Sequence, residues 1–416
     1  INNGTVVGKT GKNGGFFGLV LKNTNMTLTF SNCTNSGTAS GNGDKIGAFI
    51  GDVSNGAENI ITISGSINSG TATGNNYVGG FIGLVESTEN YTILISHSTN
   101  KTKLGLGGVV GYVMKNKQIN LEIINCTNDD NVIGKPLNKY NGGFVGYVSG
   151  NQKINVTIHN STNNGNVTSG NDNVGGLIGF IVDNTDMDVS ISNTSNHGWI
   201  NGTNMIGGFI GSVSSPSETV NVTLVITSST NKGMVSAQDG NGCGMFCIEQ
   251  LNYEGVDTTL LNSLNKGNVN ATVSGYGITN IITKARNVVS MGDVTGPYGS
   301  YTFWNASTDV DLFYGLNGKC TNCSDDITLF EYNTTAGFYE VVSTHELVHN
   351  LLNEAVEKHH FELMWSSDLD LVDPYSISSS LSSSQLEPLS SGIHHGASHL
   401  SIGFALILIV SIVFSQ

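Results

Sequence analysis

The stretch YVGGFIGLV, Tyr77 to Val85, decides the fold because it recurs. It returns as NGGFFGLV from Asn13, KIGAFIGDV from Lys45 and GLGGVVGYV from Gly105. It continues as YNGGFVGYV from Tyr140, NVGGLIGFI from Asn173 and MIGGFIGSV from Met205. Weaker copies start at Asn241 (NGCGMFCIE) and Ser274 (SGYGITNII). The second small residue of each block falls at Gly15, Ala48, Gly80, Gly108, Gly143, Gly176, Gly208, Gly244 and Gly277, with spacings of 33, 32, 28, 35, 33, 32, 36 and 33. A steady period of this size marks a chain built from stacked units.

Two further elements lie between the blocks. One alternates apolar with polar residues: MTLTFS from Met26, YTILIS from Tyr91, INVTIH from Ile154, VNVTLVI from Val220. Alternation rich in Thr, Val and Ile predicts half-buried strands. The other is a turn: TNSGTASG from Thr34, INSGTATG from Ile67, TNNGNVTSG from Thr162, SNHGWING from Ser195, TNKGMVSA from Thr230 and LNKGNVNA from Leu264. Asn and Gly accept the positive φ that tight turns require. Each repeat therefore reads as three short strands. One unit cannot bury its own apolar face, whereas stacked units can. The expected fold is all-β: a parallel β-helix or β-solenoid of about nine coils, with a repeat of about 33 residues. The glycine pair marks a place where coils pass too closely for a Cβ.

The repeat resembles the GLUG motif family, through Val78 to Gly83, Val174 to Gly179 and Ile206 to Gly211 in particular. The resemblance covers roughly residues 1–296. It implies a surface location and adhesion-like roles, as in bacterial and protist surface proteins, some of which carry IgA-type metallopeptidase domains beside the repeats. It implies no catalytic residues.

Composition narrows the function classes. The formal net charge is −15 with only 17 Lys and Arg, so no basic footprint for nucleic acid is present. Charged residues make up 12% and hydrophobic residues 38%, which leaves enough apolar material for a long core. With Gly at 54 and Pro at 5, collagen is excluded. The chain starts at Ile1 rather than Met, as expected for a mature form or a fragment.

Sixteen Asn-x-Ser/Thr sequons point to secretion. The main glycosylation candidates are Asn32, Asn90, Asn125, Asn155, Asn160, Asn193, Asn221 and Asn305. Six cysteines are present; in an oxidising compartment Cys243, Cys247, Cys320 and Cys323 could form two disulfides, and four close thiols could instead hold zinc. Cys33 and Cys126 sit in near-identical contexts, SNCTN and INCTN.

The C-terminal third reads differently. Residues 297–375 lose the repeat and are expected to cap the stack and end in a short helix. Residues 376–391, SISSSLSSSQLEPLSS, form a Ser-rich stalk. Residues 392–416 carry a polar spacer and the apolar run IGFALILIVSIVF, Ile402 to Phe414. Thirteen residues are short of the roughly 20 that span a bilayer. Small residues, spacer and terminal apolar tail are the layout of a GPI-attachment signal, with Ser390 as the attachment residue and Ser391 as the alternative.

One motif suggests chemistry. His345-Glu346-Leu347-Val348-His349 is HExxH, which on a helix places two His ligands for Zn²⁺ one turn apart with Glu346 as general base. Against it, Ser343 and Glu346 form a capping box. The metzincin continuation would need Gly at Leu352 and His at Ala355. GTVVGKT from Gly4 is one residue short of a P-loop, and the blocks lack the Asp of calcium-binding nonapeptides. Trp199, Trp304 and Trp365 read as packing residues rather than sugar platforms. The expectation is a non-enzymatic display or adhesion glycoprotein, without a cofactor, on the outer face of the plasma membrane. Its partners would be the membrane, through a GPI lipid, and a host-cell or matrix ligand. The alternative is a membrane-tethered zinc peptidase using HELVH.

Overall fold

The computed structural model describes residues 1–296 except 9–10, 42–44, 103–104, 136–139, 215–220, 250–254 and 291, and also residues 300–315, 330–333, 338–341, 353, 364–365 and 371–372. All of these belong to the first of two units, Ile1–Asp373. The HELVH motif, the Ser-rich stalk and the tail lie outside the described residues, as does most of the expected capping helix, while the strands Ser300–Gly315, Phe330–Asn333, Phe338–Val341, Met364–Trp365 and Leu371–Val372 of the expected cap are described.

As far as Gly315 the described residues form a parallel β-solenoid. One coil shows the plan: Asn141–Gly142, Val145–Ser149, Gln152–His159, Thr162–Asn163 and Val167–Thr168. The sequence reading counts three strands, whereas the backbone breaks into five. The glycine pair splits the block into a lead-in strand and a first-sheet strand, and the Asn-Gly turn is itself bracketed by two short rungs. Each segment pairs in parallel with its counterpart one coil on, as Val145 with Ile178, Val156 with Val189 and Asn163 with Asn196. The Val145–Ser149 type builds a first sheet of eight strands, from Phe17–Leu21 to Phe246–Ile248. The Gln152–His159 type builds the second sheet, and the Val167–Thr168 type builds side sheets. The ninth block, from Ser274, joins only the second sheet, within the long strand Gly275–Ser290. Parallel pairing continues into Ser300–Gly315. No helix occurs among the described residues 1–315.

Alternation explains the core. Ile154, Val156 and Ile158 point inward from the second sheet and are fully buried, while Asn155 between them is exposed. They meet Phe144, Val145 and Val148 of the first sheet, also fully buried. Each such side chain contributes about 1.5–3 kcal/mol on burial. Because coils stack in register, like side chains stack too: the rings of Phe49 and Phe81 are 4.9 Å apart. A second, smaller core of Val132, Val167, Val174, Ile200, Ile206, Val235 and Val269 fills the side of the stack.

Corners are set by local chemistry. After the second-sheet strands the chain turns through a left-handed residue, Asn32, Gly65, His97, Asn125, Asn160, Asn193 or Ser228, and the equivalent Asn262 lies within the strand Val256–Asn265, with φ from 43° to 56°. Asn tolerates this region because its short side chain can hydrogen-bond locally. The glycine pair has a steric reason. A Cβ on Gly142 would lie 2.0 Å from the Val145 carbonyl oxygen, and one on Gly143 would lie 2.0 Å from the Gly176 carbonyl oxygen of the next coil. Gly176 relates to Gly208 in the same way, so the second glycines form one column.

The Asn of each Asn-Gly turn does more than turn the chain. Asn35, Asn68, Asn100, Asn128, Asn163, Asn196, Asn231 and Asn265 are fully buried and stack. Each Nδ2 donates to the Oδ1 of the next member, at 2.7–3.1 Å. In most coils the second amide hydrogen goes to the carbonyl two residues on, as from Asn163 to Gly165 at 2.8 Å. A shorter ladder, Asn116 to Asn151 to Asn184, runs at the other end of the second-sheet strands.

Candidate functional site

On the outer side of the first sheet one position per coil faces away from the main core. Leu19, Asp52, Leu84, Tyr112, Tyr147, Phe180 and Ser212 occupy it in register. Tyr77 and Tyr140, each just before a glycine pair, swing onto the same ridge. Tyr77 meets Tyr112 edge-on at 4.7 Å between centroids, and Tyr112 follows Tyr147 at 4.9 Å. Tyr140 stacks on Tyr147 at 4.5 Å and 11°, and lies 5.1 Å from Phe180. The four tyrosines are half-buried.

Burial favours the neutral phenol at Tyr112, Tyr140 and Tyr147. Burial raises the pKa of Tyr112, and the neighbouring Tyr77, Tyr140 and Tyr147 add to it. Tyr140 is raised by burial, then by Tyr147 and the carboxylates Asp172, Asp183 and Glu249. Tyr147 is also raised by burial. The ridge therefore offers aromatic faces and uncharged O–H groups, with carboxylates nearby. That chemistry suits stacking and hydrogen bonding to a polar, uncharged ligand.

At its beginning the ridge becomes ionic. Asp52 is fully buried and accepts from Lys12 at 2.6 Å, Lys45 at 3.3 Å and the Ser54 hydroxyl at 3.2 Å. Lys45 also pairs with Glu86. Burial works to lower the Lys45 pKa, but Glu86 and Asp52 outweigh it and hold the ammonium above the ordinary lysine value.

The sequon candidates fall elsewhere. Asn90 and Asn155 sit in second-sheet strands, Asn221 just before one, and Asn32, Asn125, Asn160 and Asn193 at the corners that follow. Asn32, Asn90, Asn155, Asn160 and Asn221 are exposed, and Asn125 and Asn193 are half-buried. Asn160 Nδ2 donates to Asn125 Oδ1 at 2.9 Å. Asn305 lies in the strand Ser300–Gly315, whose side chains are outside the description. The sequon at Asn100 belongs to the buried ladder. Among the described residues no sequon lies in a first-sheet strand.

Cys243 and Cys247 are joined by a disulfide, buried beside Met205 and Tyr276. Cys320 and Cys323 lie outside the described residues, as do His345, Glu346, His349, Ser390 and Ser391. Among the described residues no group of three or more His, Cys, Asp or Glu could hold a metal ion. Trp199 is 38% exposed on the side of the stack, away from the ridge. The sequence reading missed the ridge. Its only linear trace is Tyr just before or after the glycine block, at positions that touch only once the coils stack.

No family model, no curated protein and no solved structure matches the chain.

Proposed function

We propose that this chain is a cell-surface display glycoprotein of the adhesion type, its solenoid carried outside the plasma membrane on a lipid-anchored Ser-rich stalk. The observation that carries the reading is the division of the solenoid into two sides. The main sequon candidates belong to second-sheet strands and their corners, while the aromatic ridge lies on the sequon-free first sheet. Glycans on the second sheet would clothe one side and leave the ridge open to a host-cell or matrix ligand. The resemblance to GLUG repeats supports a surface role. The small residues Ser390 and Ser391, with spacer and apolar tail, support a GPI anchor. No catalytic residue enters this reading.

Surface labelling of intact cells expressing the full chain tests it, followed by phosphatidylinositol-specific phospholipase C. The expected result is a labelled protein that the lipase releases into the medium. Absence of surface label overturns the display reading. Release failure, with Ile402 to Phe414 still present by mass spectrometry, overturns the GPI anchor.

A further inference from the structure

One coil departs from its neighbours on the outer side of the first sheet. Leu19 and Leu84 hold the in-register places on either side, yet the place between them holds Asp52, which is fully buried. Leucine fills this place in both flanking coils, so the stack itself does not call for a carboxylate. A buried charge is costly unless it is paired. A residue that breaks the pattern of its own repeat at such a cost points to a function.

The partners of Asp52 are two lysines that stand side by side on neighbouring rungs, Lys12 next to Lys45. Both ammonium groups reach the same oxygen: Oδ2 lies 2.6 Å from Lys12 Nζ and 3.3 Å from Lys45 Nζ. The Ser54 hydroxyl donates to it as well, at 3.2 Å. Oδ1 is buried and has no hydrogen-bond partner among the described residues. A carboxylate held for stability alone gains most when both oxygens accept bonds. Here three donors crowd one oxygen and leave the other bare.

The two lysines are not equivalent. Lys45 also pairs with Glu86 and keeps its proton: burial works against its charge, but Glu86 and Asp52 outweigh it. Lys12 is the closer of the two to Asp52 and pairs with no second carboxylate among the described residues. Its nitrogen already sits at hydrogen-bond distance from Oδ2, one bond short of Cγ. Holding two reacting groups in that way replaces a rare encounter with a standing one.

We propose that Lys12 and Asp52 condense within the folded chain to an isopeptide bond between Nζ and Cγ, a covalent tie between neighbouring coils. The Lys12 ammonium passes one proton to Oδ2, and the freed lone pair on Nζ attacks Cγ. A second proton follows from nitrogen to the same oxygen, the Cγ–Oδ2 bond breaks, and one water leaves. Oδ1 stays as the amide carbonyl oxygen. Ammonium and carboxylate thus become amide and water, and no oxidant, cofactor or second chain is consumed. Lys45, bonded to Oδ2, steadies the charge on the departing oxygen. The Lys12 side chain is 32% exposed, so the water has a way out. The product is neutral, which removes a fully buried charge and its desolvation cost. Like a disulfide, the link would restrain the unfolded chain, here across two coils.

The test is a peptide map. The full chain, freed of N-glycans, is denatured, digested with trypsin and read by mass spectrometry. The expected product is residues 10–22, uncut after Lys12, joined to residues 46–101, at the sum of the two masses less one water, about 18 Da. Lys12→Arg keeps the positive charge beside Asp52 but offers no amine to attack, so its map is expected to show the two segments apart. Circular dichroism checks that this variant retains the solenoid. Should it not fold, the map of the unaltered chain decides. Full recovery of residues 13–22 and 46–101 as separate peptides from the unaltered chain overturns the proposal, as does a joined product in Lys12→Arg. Loss of water from residues 23–101, uncut after Lys45, would make Lys45 the attacking residue and overturn the assignment to Lys12.

Discussion

Asn163 Nδ2 donates to Asn196 Oδ1 at 2.7 Å, and both side chains are fully buried. The same bond recurs from Asn35 to Asn265, so a polar column runs inside an otherwise apolar stack. Such a column is stable only while every amide is satisfied, because an orphaned buried donor or acceptor costs about 1–3 kcal/mol. It also holds register: sliding one coil by a residue would take its Asn out of line with both neighbours.

Asn163→Ala removes the acceptor for Asn128 and the donor to Asn196. It is expected to cost about 3 kcal/mol or more. Hydrogen exchange should speed up in the coils on either side. Asn164→Ala, at an exposed position whose side chain donates to Asp129, is the control and should stay within about 0.5 kcal/mol. Equal thermal melts for the two variants would show that the ladder adds no stability.

Gly176→Val should be among the most damaging changes in the stack. A Cβ there would lie 2.0 Å from the Gly208 carbonyl oxygen and 2.7 Å from Cγ of Asn196. Neither the backbone nor the ladder can give way. A loss of about 4 kcal/mol or more, or failure to express as folded protein, is expected. Gly170→Ala, where a Cβ meets nothing within 4 Å, should be tolerated.

Cys33 and Cys126 have near-identical sequence contexts but should react differently. Cys126 is 1% exposed, and burial pushes its thiol up to about 11, so its thiolate fraction at pH 8 is on the order of one in a thousand. Cys33, at the start of the stack, is only half-buried. Iodoacetamide at pH 8, read by peptide mass spectrometry, should label Cys33 and spare Cys126 until the chain is unfolded. Labelling of both at one rate would contradict the stacking of the Cys126 coil.

Glycopeptide mapping of the chain expressed through a secretory pathway should find sugar at exposed second-sheet positions such as Asn155 and Asn221 and none at Asn100. A glycan on Asn100 would have to replace an amide hydrogen inside the ladder, since both of its Nδ2 bonds are used. An occupied Asn100 in folded protein would refute the buried ladder at that coil.

The sequence by itself determined the period, the parallel stacking, the glycine column and the inward faces. Those depend on local facts: alternation sets which side Ile154, Val156 and Ile158 take, and Gly and Asn set where the chain can turn. Only the tertiary structure decided what the repeats put side by side. The Asn-Gly element reads as a turn in one repeat and becomes a buried ladder when eight are stacked. Tyr112, Tyr140 and Tyr147 come from different coils and become one ridge because the register aligns them. The spacing of 28 is visible in the chain, but that the corner and first-sheet rungs on either side of it stay paired is seen only in the stack. Contacts across about 33 residues depend on neighbouring coils, and a single repeat read alone contains none of them.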